Sequence, residues 1–126
     1  MSDTSNYLRD ALADHIFGGV PYTPPADFYL ALFSVAPTAS GGGTEVAGGG
    51  YARPVITWES TGEPGEYENE MVQIEDMPEV DVVAIGVMDS LSGGNLLFFK
   101  SDFGTLSFLS GDTYAALAGS ITAKFL

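Results

Sequence analysis

The stretch Val80-Asp81-Val82-Val83-Ala84-Ile85-Gly86-Val87-Met88, followed by Asp89-Ser90-Leu91-Ser92-Gly93-Gly94-Asn95 and then Leu96-Leu97-Phe98-Phe99-Lys100, decides the fold class. The first run is rich in β-branched residues and carries no helical period. In an extended chain Val80, Val82, Ala84, Gly86 and Met88 face one way, and Asp81, Val83, Ile85 and Val87 the other. Both faces are mostly apolar, which is the mark of a central strand covered on both sides. The polar, glycine-bearing segment Leu91-Ser92-Gly93-Gly94 is a turn, so the two apolar runs are expected to pair as an antiparallel hairpin.

Further runs of the same kind flank this hairpin. Phe28-Tyr29-Leu30-Ala31-Leu32-Phe33 lies between Pro25 and Pro37 and reads as another strand buried on both faces. Residues 51–59 form a candidate strand through Val55, Thr57 and Trp58. Val72 and Ile74 alternate with Gln73 and Glu75, predicting a half-buried strand with Gln73 and Glu75 outward. Thr105 to Leu109, Thr113 to Leu117, and the alternating Ile121, Ala123 and Phe125 complete the set, with a turn at Ser110-Gly111-Asp112. Before all of these, Leu8, Ala11, Leu12 and Ile16 form one apolar stripe at helical spacing. They predict a helix over 5–17, capped by Ser5 or Asp3 and ended by Gly18-Gly19. Pro21, Pro24 and Pro25 make the segment up to Asp27 an extended connector. Pro37 to Gly50 is a long loop holding two glycine triplets, either flexible or in conformations closed to other residues. The expected architecture is mainly β: an antiparallel, jelly-roll-like β-sandwich of about seven or eight strands with one short N-terminal helix, in a single domain over 1–126.

Composition narrows function. The chain has 126 residues, of which 45% are apolar, and this suffices for one hydrophobic core. It has 17 acidic against 4 basic residues and a formal net charge of −13, which argues against binding a nucleic-acid backbone or an anionic membrane. Such a surface suits a salty medium, as in a marine or halophilic host. With no Cys, disulfides and thiolate chemistry are excluded. No basic start followed by an apolar stretch suggests a signal peptide, and no apolar run is long enough to span a bilayer.

Catalytic groups are sparse. The single histidine, His15, falls near the end of the predicted helix, where a protonated imidazole favours the helix dipole. It cannot build a multi-histidine zinc site alone. The Gly41–Gly43 and Gly48–Gly50 loops lack the Gly-Lys-Ser/Thr pattern of a phosphate cradle, and Glu45 would repel phosphate. Glu66, Glu68 and Glu70 share one face of an extended chain and read as a solvated acidic surface. A glycosidase would need two carboxylates across a cleft. Calcium is the one cofactor such carboxylates suggest, yet no Asp-x-Asp-x-Asp-Gly loop specifies a site. The expectation is a non-enzyme without cofactor. Tyr22, Tyr51, Trp58 and Tyr67 lie in or near loops and are suited to stacking on a partner protein or a sugar.

Several phrases together carry a resemblance. Asn6-Tyr7-Leu8 opens the helix, Phe28 to Phe33 leads to Pro37-Thr38, and Gly43-Thr44-Glu45-Val46 and Gly48-Gly49-Gly50-Tyr51-Ala52-Arg53 follow. Ile85-Gly86-Val87-Met88-Asp89, Ser92-Gly93-Gly94-Asn95-Leu96-Leu97 and Ser110-Gly111-Asp112-Thr113 come later. From about residue 6 to residue 125 the chain resembles a family of small tailed-phage proteins labelled tail fibre or minor virion protein. Its departure is the segment from Glu59 to Asp81, which holds nine acidic residues and no basic one.

The resemblance implies a structural component of the virion, assembled in the host cytoplasm, that works through contacts with other virion proteins. It also implies a homo-oligomer, with a trimer favoured by the role. The alternatives are a capsid decoration protein and a carbohydrate-binding module that contacts a host surface glycan. Among the matching residues Arg53 is one of only four basic side chains, and Glu45 is its nearest carboxylate candidate. Glu45, Tyr51, Arg53 and Trp58 are the expected interface residues, so Arg53→Ala is expected to weaken assembly more than it lowers the melting temperature.

Overall fold

In the computed structural model, which describes residues 3–101 and 103–125, the chain is mainly β, with antiparallel pairing throughout and one helix. In chain order the elements are β1 (Asp3–Thr4), α1 (Asn6–Phe17), β2 (Phe28–Val35), β3 (Thr44–Glu45), β4 (Val55–Ile56), β5 (Trp58–Ser60) and β6 (Glu66–Asn69). They continue as β7 (Val72–Ile74), β8 (Val80–Val82), β9 (Ala84–Met88), β10 (Leu96–Lys100), β11 (Leu106–Phe108), β12 (Tyr114–Ala116) and β13 (Thr122–Lys124). The described residues therefore form thirteen short strands rather than seven or eight. The main sheet runs β1-β10-β9-β2-β3, with β4 pairing the other end of β2. Three ribbons complete the fold: β11-β8, β12-β7 and β13-β6-β5.

The hairpin predicted from the deciding stretch forms as β9 and β10, and β2 lies along the other edge of β9, pairing Leu30 with Val87 and Leu32 with Ile85. The single strand expected over Val80–Met88 does not. It divides at Val83, whose N–H donates to the Phe33 carbonyl at 2.9 Å. Before the break β8 pairs with β11, and after it β9 joins the main sheet. The break shifts the alternation by one residue, which reverses every side chain beyond it. Val82, Ile85 and Val87 enter one core, while Val83, Ala84 and Met88 enter the other. The candidate strand over 51–59 divides in the same manner, with β4 in the main sheet and β5 in the three-stranded ribbon.

A second irregularity lies in β10. The register steps from Leu96↔Met88 to Phe98↔Val87, so two residues of β10 oppose one of β9. This bulge lets Leu97 and Phe98, adjacent in sequence, both enter the larger core. That core fills the space between the main sheet and the ribbons, with Leu30, Leu32, Ile56, Met77, Val82 and Leu97 almost wholly buried. The smaller core, on the other face, stacks Phe33 and Leu96 over Gly86. A Cβ on Gly86 would come within 2.8 Å of both side chains, so only glycine fits there.

The acidic segment folds around inward anchors. Val72, Ile74 and Met77 are buried, while Gln73 and Glu75 are exposed as expected. The Gly48–Gly50 triplet serves close approach: Gly49 has φ +56 and a Cβ there would meet the Asp76 carbonyl at 2.8 Å, while Gly50 N–H donates to that carbonyl at 2.8 Å.

At the N-terminus Ser5 caps the helix by accepting from Leu8 N–H at 3.2 Å, and its own N–H donates to the Leu97 carbonyl at 2.9 Å, tying the cap to β10. Asp3, the other candidate cap, lies in β1. Of the expected apolar stripe Leu8 is buried and Leu12 half-buried, whereas Ile16 is 68% exposed. The body of the protein does not extend under the second half of the helix, and every residue from 13 to 21 is exposed.

Candidate functional site

Two places gather the side chains singled out in the sequence. The first lies along β2, between β3 and β4, where no strand covers Leu32. Its N–H donates instead to the Tyr51 hydroxyl at 3.0 Å. That hydroxyl donates to Glu45 Oε2 at 2.6 Å. Arg53 binds the same carboxylate with both prongs of its guanidinium, Nε to Oε2 at 2.8 Å and Nη2 to Oε1 at 2.7 Å. Nη1 then donates to the carbonyls of Ser90 and Gly93, each at 2.8 Å, in the turn between β9 and β10. The Arg53 side chain is only 8% exposed and that of Glu45 27%.

This bidentate arrangement is the strong form of an arginine–carboxylate pair. Burial opposes ionisation of Glu45, but the hydrogen bonds from Arg53 and Tyr51 outweigh it and hold the carboxyl below its ordinary range. The bonds to Glu45, partly offset by burial, tighten the proton on Arg53. Burial, then the hydrogen bond to Glu45, pushes the Tyr51 hydroxyl well above its ordinary value. All three groups are thus fixed in the protonation states that the network needs. The arrangement clamps the loop over 44–53 to β2 and to the hairpin turn.

The second place is an apolar groove of about 520 Å³. Leu8 and Leu12 of α1, Phe98 of β10, and Trp58, Tyr67 and Phe125 are among the residues that line it. Phe98 and Phe125 meet edge to face at 5.5 Å between ring centres. Of the four loop aromatics marked in the sequence, Tyr22, Trp58 and Tyr67 line this groove, and Tyr51 belongs to the clamp. The expected set Glu45, Tyr51, Arg53 and Trp58 is therefore divided: the first three meet one another inside the chain, and Trp58 stands apart in the groove.

The acidic residues behave as surface. Glu66 accepts from the Thr61 hydroxyl at 2.8 Å, and Glu70 from the Thr57 hydroxyl. Among the described residues no three His, Asp or Glu side chains assemble into a group that could hold a metal ion. His15 Nδ1 lies 3.0 Å from the Val20 carbonyl, bracing the end of the helix.

Asn69 was not foreseen. It is fully buried, its amide nitrogen donates to the carbonyls of Glu70 at 3.0 Å and Leu117 at 3.2 Å, and its oxygen accepts from Ile121 N–H at 2.9 Å. Its position as the one asparagine within the acidic run from Glu59 to Asp81 was the available signal.

A family model described as Podophage GP4 fiber I protein gp80 matches residues 3–124, nearly the whole chain. Comparison with curated proteins finds no match.

Proposed function

Because the chain belongs to the podophage GP4 fiber I protein gp80 family, a family of phage fibre proteins, we propose that it is a non-enzymatic building block of the tail fibre that works through protein–protein contacts, including contacts with copies of itself. The observation that carries this reading is the division of labour between the two places. The clamp commits its charged groups inside the chain. The groove and the exposed end of α1 offer apolar surface outward, including Phe17 at 89% exposure. Exposed apolar surface of this extent in an acidic, water-facing protein belongs to an interface.

The groove favours a protein occupant over a glycan. Its wall is almost wholly apolar, with Asp27 and Thr57 as its polar side chains apart from the tyrosines. A sugar presents many hydroxyls that need partners, whereas an apolar anchor residue needs only shape and dryness.

Location tests the reading. A gold-labelled antibody raised against the folded chain is expected to decorate the tail fibres of intact particles in electron micrographs. Label distributed over the head would replace the fibre role with capsid decoration.

A further inference from the structure

Charge is spread unevenly along the chain. Charged residues make up 17% of it, yet from Phe103 to Ala123 the one charged residue is Asp112. Its carboxylate turns back and accepts from Leu109 N–H at 2.7 Å. Most of this stretch is exposed, so it forms a neutral surface on a protein of net charge −13. At its start lies β11, which pairs with β8 on one side and, among the described residues, with no strand on the other. We propose that the open edge of β11 pairs antiparallel with β11 of a second copy of this chain, so that β8 and β11 of both copies form one four-stranded sheet. This deepens the reading of the chain as a building block and rests on it.

An open strand edge presents unpaired N–H and C=O groups, and proteins guard such edges with charge, proline or a bulge. The other outer strands here are guarded. β1 carries Asp3, β5 Glu59 and β13 Lys124, β3 ends on Glu45, β4 follows Pro54, and β7 lies between Glu70 and Glu75. β11 has none of these devices. Leu106, Ser107 and Phe108 pair with Val82, Asp81 and Val80 in unbroken register, and the Phe108 ring meets that of Tyr114 at 6.0 Å between centres. The strand is thus held from behind and loses little entropy on docking. Beside its edge Leu106 is 39% and Leu109 67% exposed. β12 is also neutral, but its Tyr114 and Ala116 are buried and leave only Ala115 outward.

Charge selects a second copy as the occupant. A basic partner is drawn to the acidic surface elsewhere, whereas two copies of this chain repel each other except where neither carries charge. β11 also complements itself. With Ser107 opposite its counterpart on a twofold axis, Leu106 of each chain faces Phe108 of the other, and Thr105 faces Leu109. Apolar and β-branched cross-strand pairs of this kind stabilise a sheet. Asp81, which pairs with Ser107 across the ribbon, then stands three strand spacings from its counterpart. That is about 14 Å, beyond the Debye length of about 8 Å at physiological salt.

The test uses the full chain. Wild-type protein is expected to sediment as a dimer at micromolar concentration, and Ser107→Lys to raise the dissociation constant at least ~10-fold, because a lysine on the axis meets its own counterpart. In the single chain that lysine lies exposed opposite Asp81, so the melting temperature extrapolated to infinite dilution should hold within about 2 °C. Contact between like-charged copies through a neutral edge should also tighten as salt rises from about 0.05 M to about 0.5 M, whereas a contact between opposite charges would weaken.

The absence of cysteine makes a second readout clean, and it serves even if Ser107→Lys folds poorly. Treated with a short thiol cross-linker, Ser107→Cys is expected to give a covalent dimer, while Ser92→Cys, exposed in the turn between β9 and β10, stays single. A monomeric wild type, a dimer that Ser107→Lys leaves intact or that salt weakens, or equal cross-linking at positions 92 and 107 would each overturn the proposal. If a monomeric chain were still found on the fibres of intact particles, edge pairing alone would fail and the building-block reading would stand.

Discussion

Replacing Arg53 by Met will lower the stability of the folded chain by about 2 to 3 kcal/mol and its melting temperature by about 10 °C. Removing one partner of a buried ion pair costs about 3–5 kcal/mol, because the other charge stays behind without compensation. Here the Glu45 side chain keeps 27% of its exposure, so water relieves part of that cost. Thermal unfolding followed by circular dichroism measures the loss, and the size of the domain sets the conversion to temperature. Arg53→Lys should fall between, since an ammonium cannot reproduce the fork on Glu45 or reach both carbonyls of the hairpin turn.

The same network has a pH signature. Glu45 ionises more readily in the folded chain than its ordinary value of 4.5. Its contribution is therefore fully present above about pH 4.5 and is lost as pH falls through the lowered folded value. Arg53→Met removes the cause of the depression, so the gap between wild type and variant should narrow as the solution is acidified below 4.5. A variant that melts within about 2 °C of wild type but no longer enters particles would return Arg53 to an interface role.

Asn69→Leu will cost about 3 kcal/mol. Leucine keeps the branched skeleton of asparagine but is bulkier, so the loss combines the missing hydrogen bonds with some overpacking at a fully buried position. Three bonds vanish, to Glu70 O, Leu117 O and Ile121 N–H, from a side chain with 0% exposure. Each lost bond to a polar group that stays buried is worth about 1 kcal/mol. The backbone adds two further bonds at this point, Asn69 N–H to Ile121 O at 3.1 Å and Gly119 N–H to Asn69 O at 2.9 Å. The turn over 117–121 thus depends on Asn69, and it positions Ala123 and Phe125 of the groove. Hydrogen exchange should show that turn losing protection before the main sheet does. A loss below about 1 kcal/mol would mean that water replaces the amide there.

The sequence made the main sheet legible because its strands are long apolar runs between strong turn signals. Phe28–Phe33 and Leu96–Lys100 appear where the residues place them, and the Gly93-Gly94 turn joins the hairpin as read. The breaks at Val83 and Thr57 were not legible. Each occurs within a locally consistent β pattern, and what decides it is which neighbouring strand is available on either side. That is a tertiary competition with no local signature. The extended reading of Glu66 to Glu70 left strand and loop open because the segment is so polar; pairing with β5 and β13 makes Glu66–Asn69 the strand β6.

The candidate residues divide in the same way. Pairing of Arg53 with Glu45 followed from scarcity, since a lone basic residue beside a lone carboxylate has few alternatives. The part played by Tyr51 in completing the edge of β2 did not, because it depends on β3 and β4 both stopping short of Leu32. The groove was visible only as separate aromatics. Tyr22, Trp58 and Tyr67 are far apart in the chain and converge through three different elements of the fold. The helix stripe misled at Ile16, because a helical period shows which residues share a face but not how far the body beneath them extends.

Counting the protein in purified particles, by quantitative mass spectrometry against the major capsid protein, tests the central claim most directly. A fibre building block is expected in single digits to tens of copies per particle. Hundreds of copies would place the protein over the capsid shell and contradict the fibre role, and complete absence from particles would remove the structural role altogether.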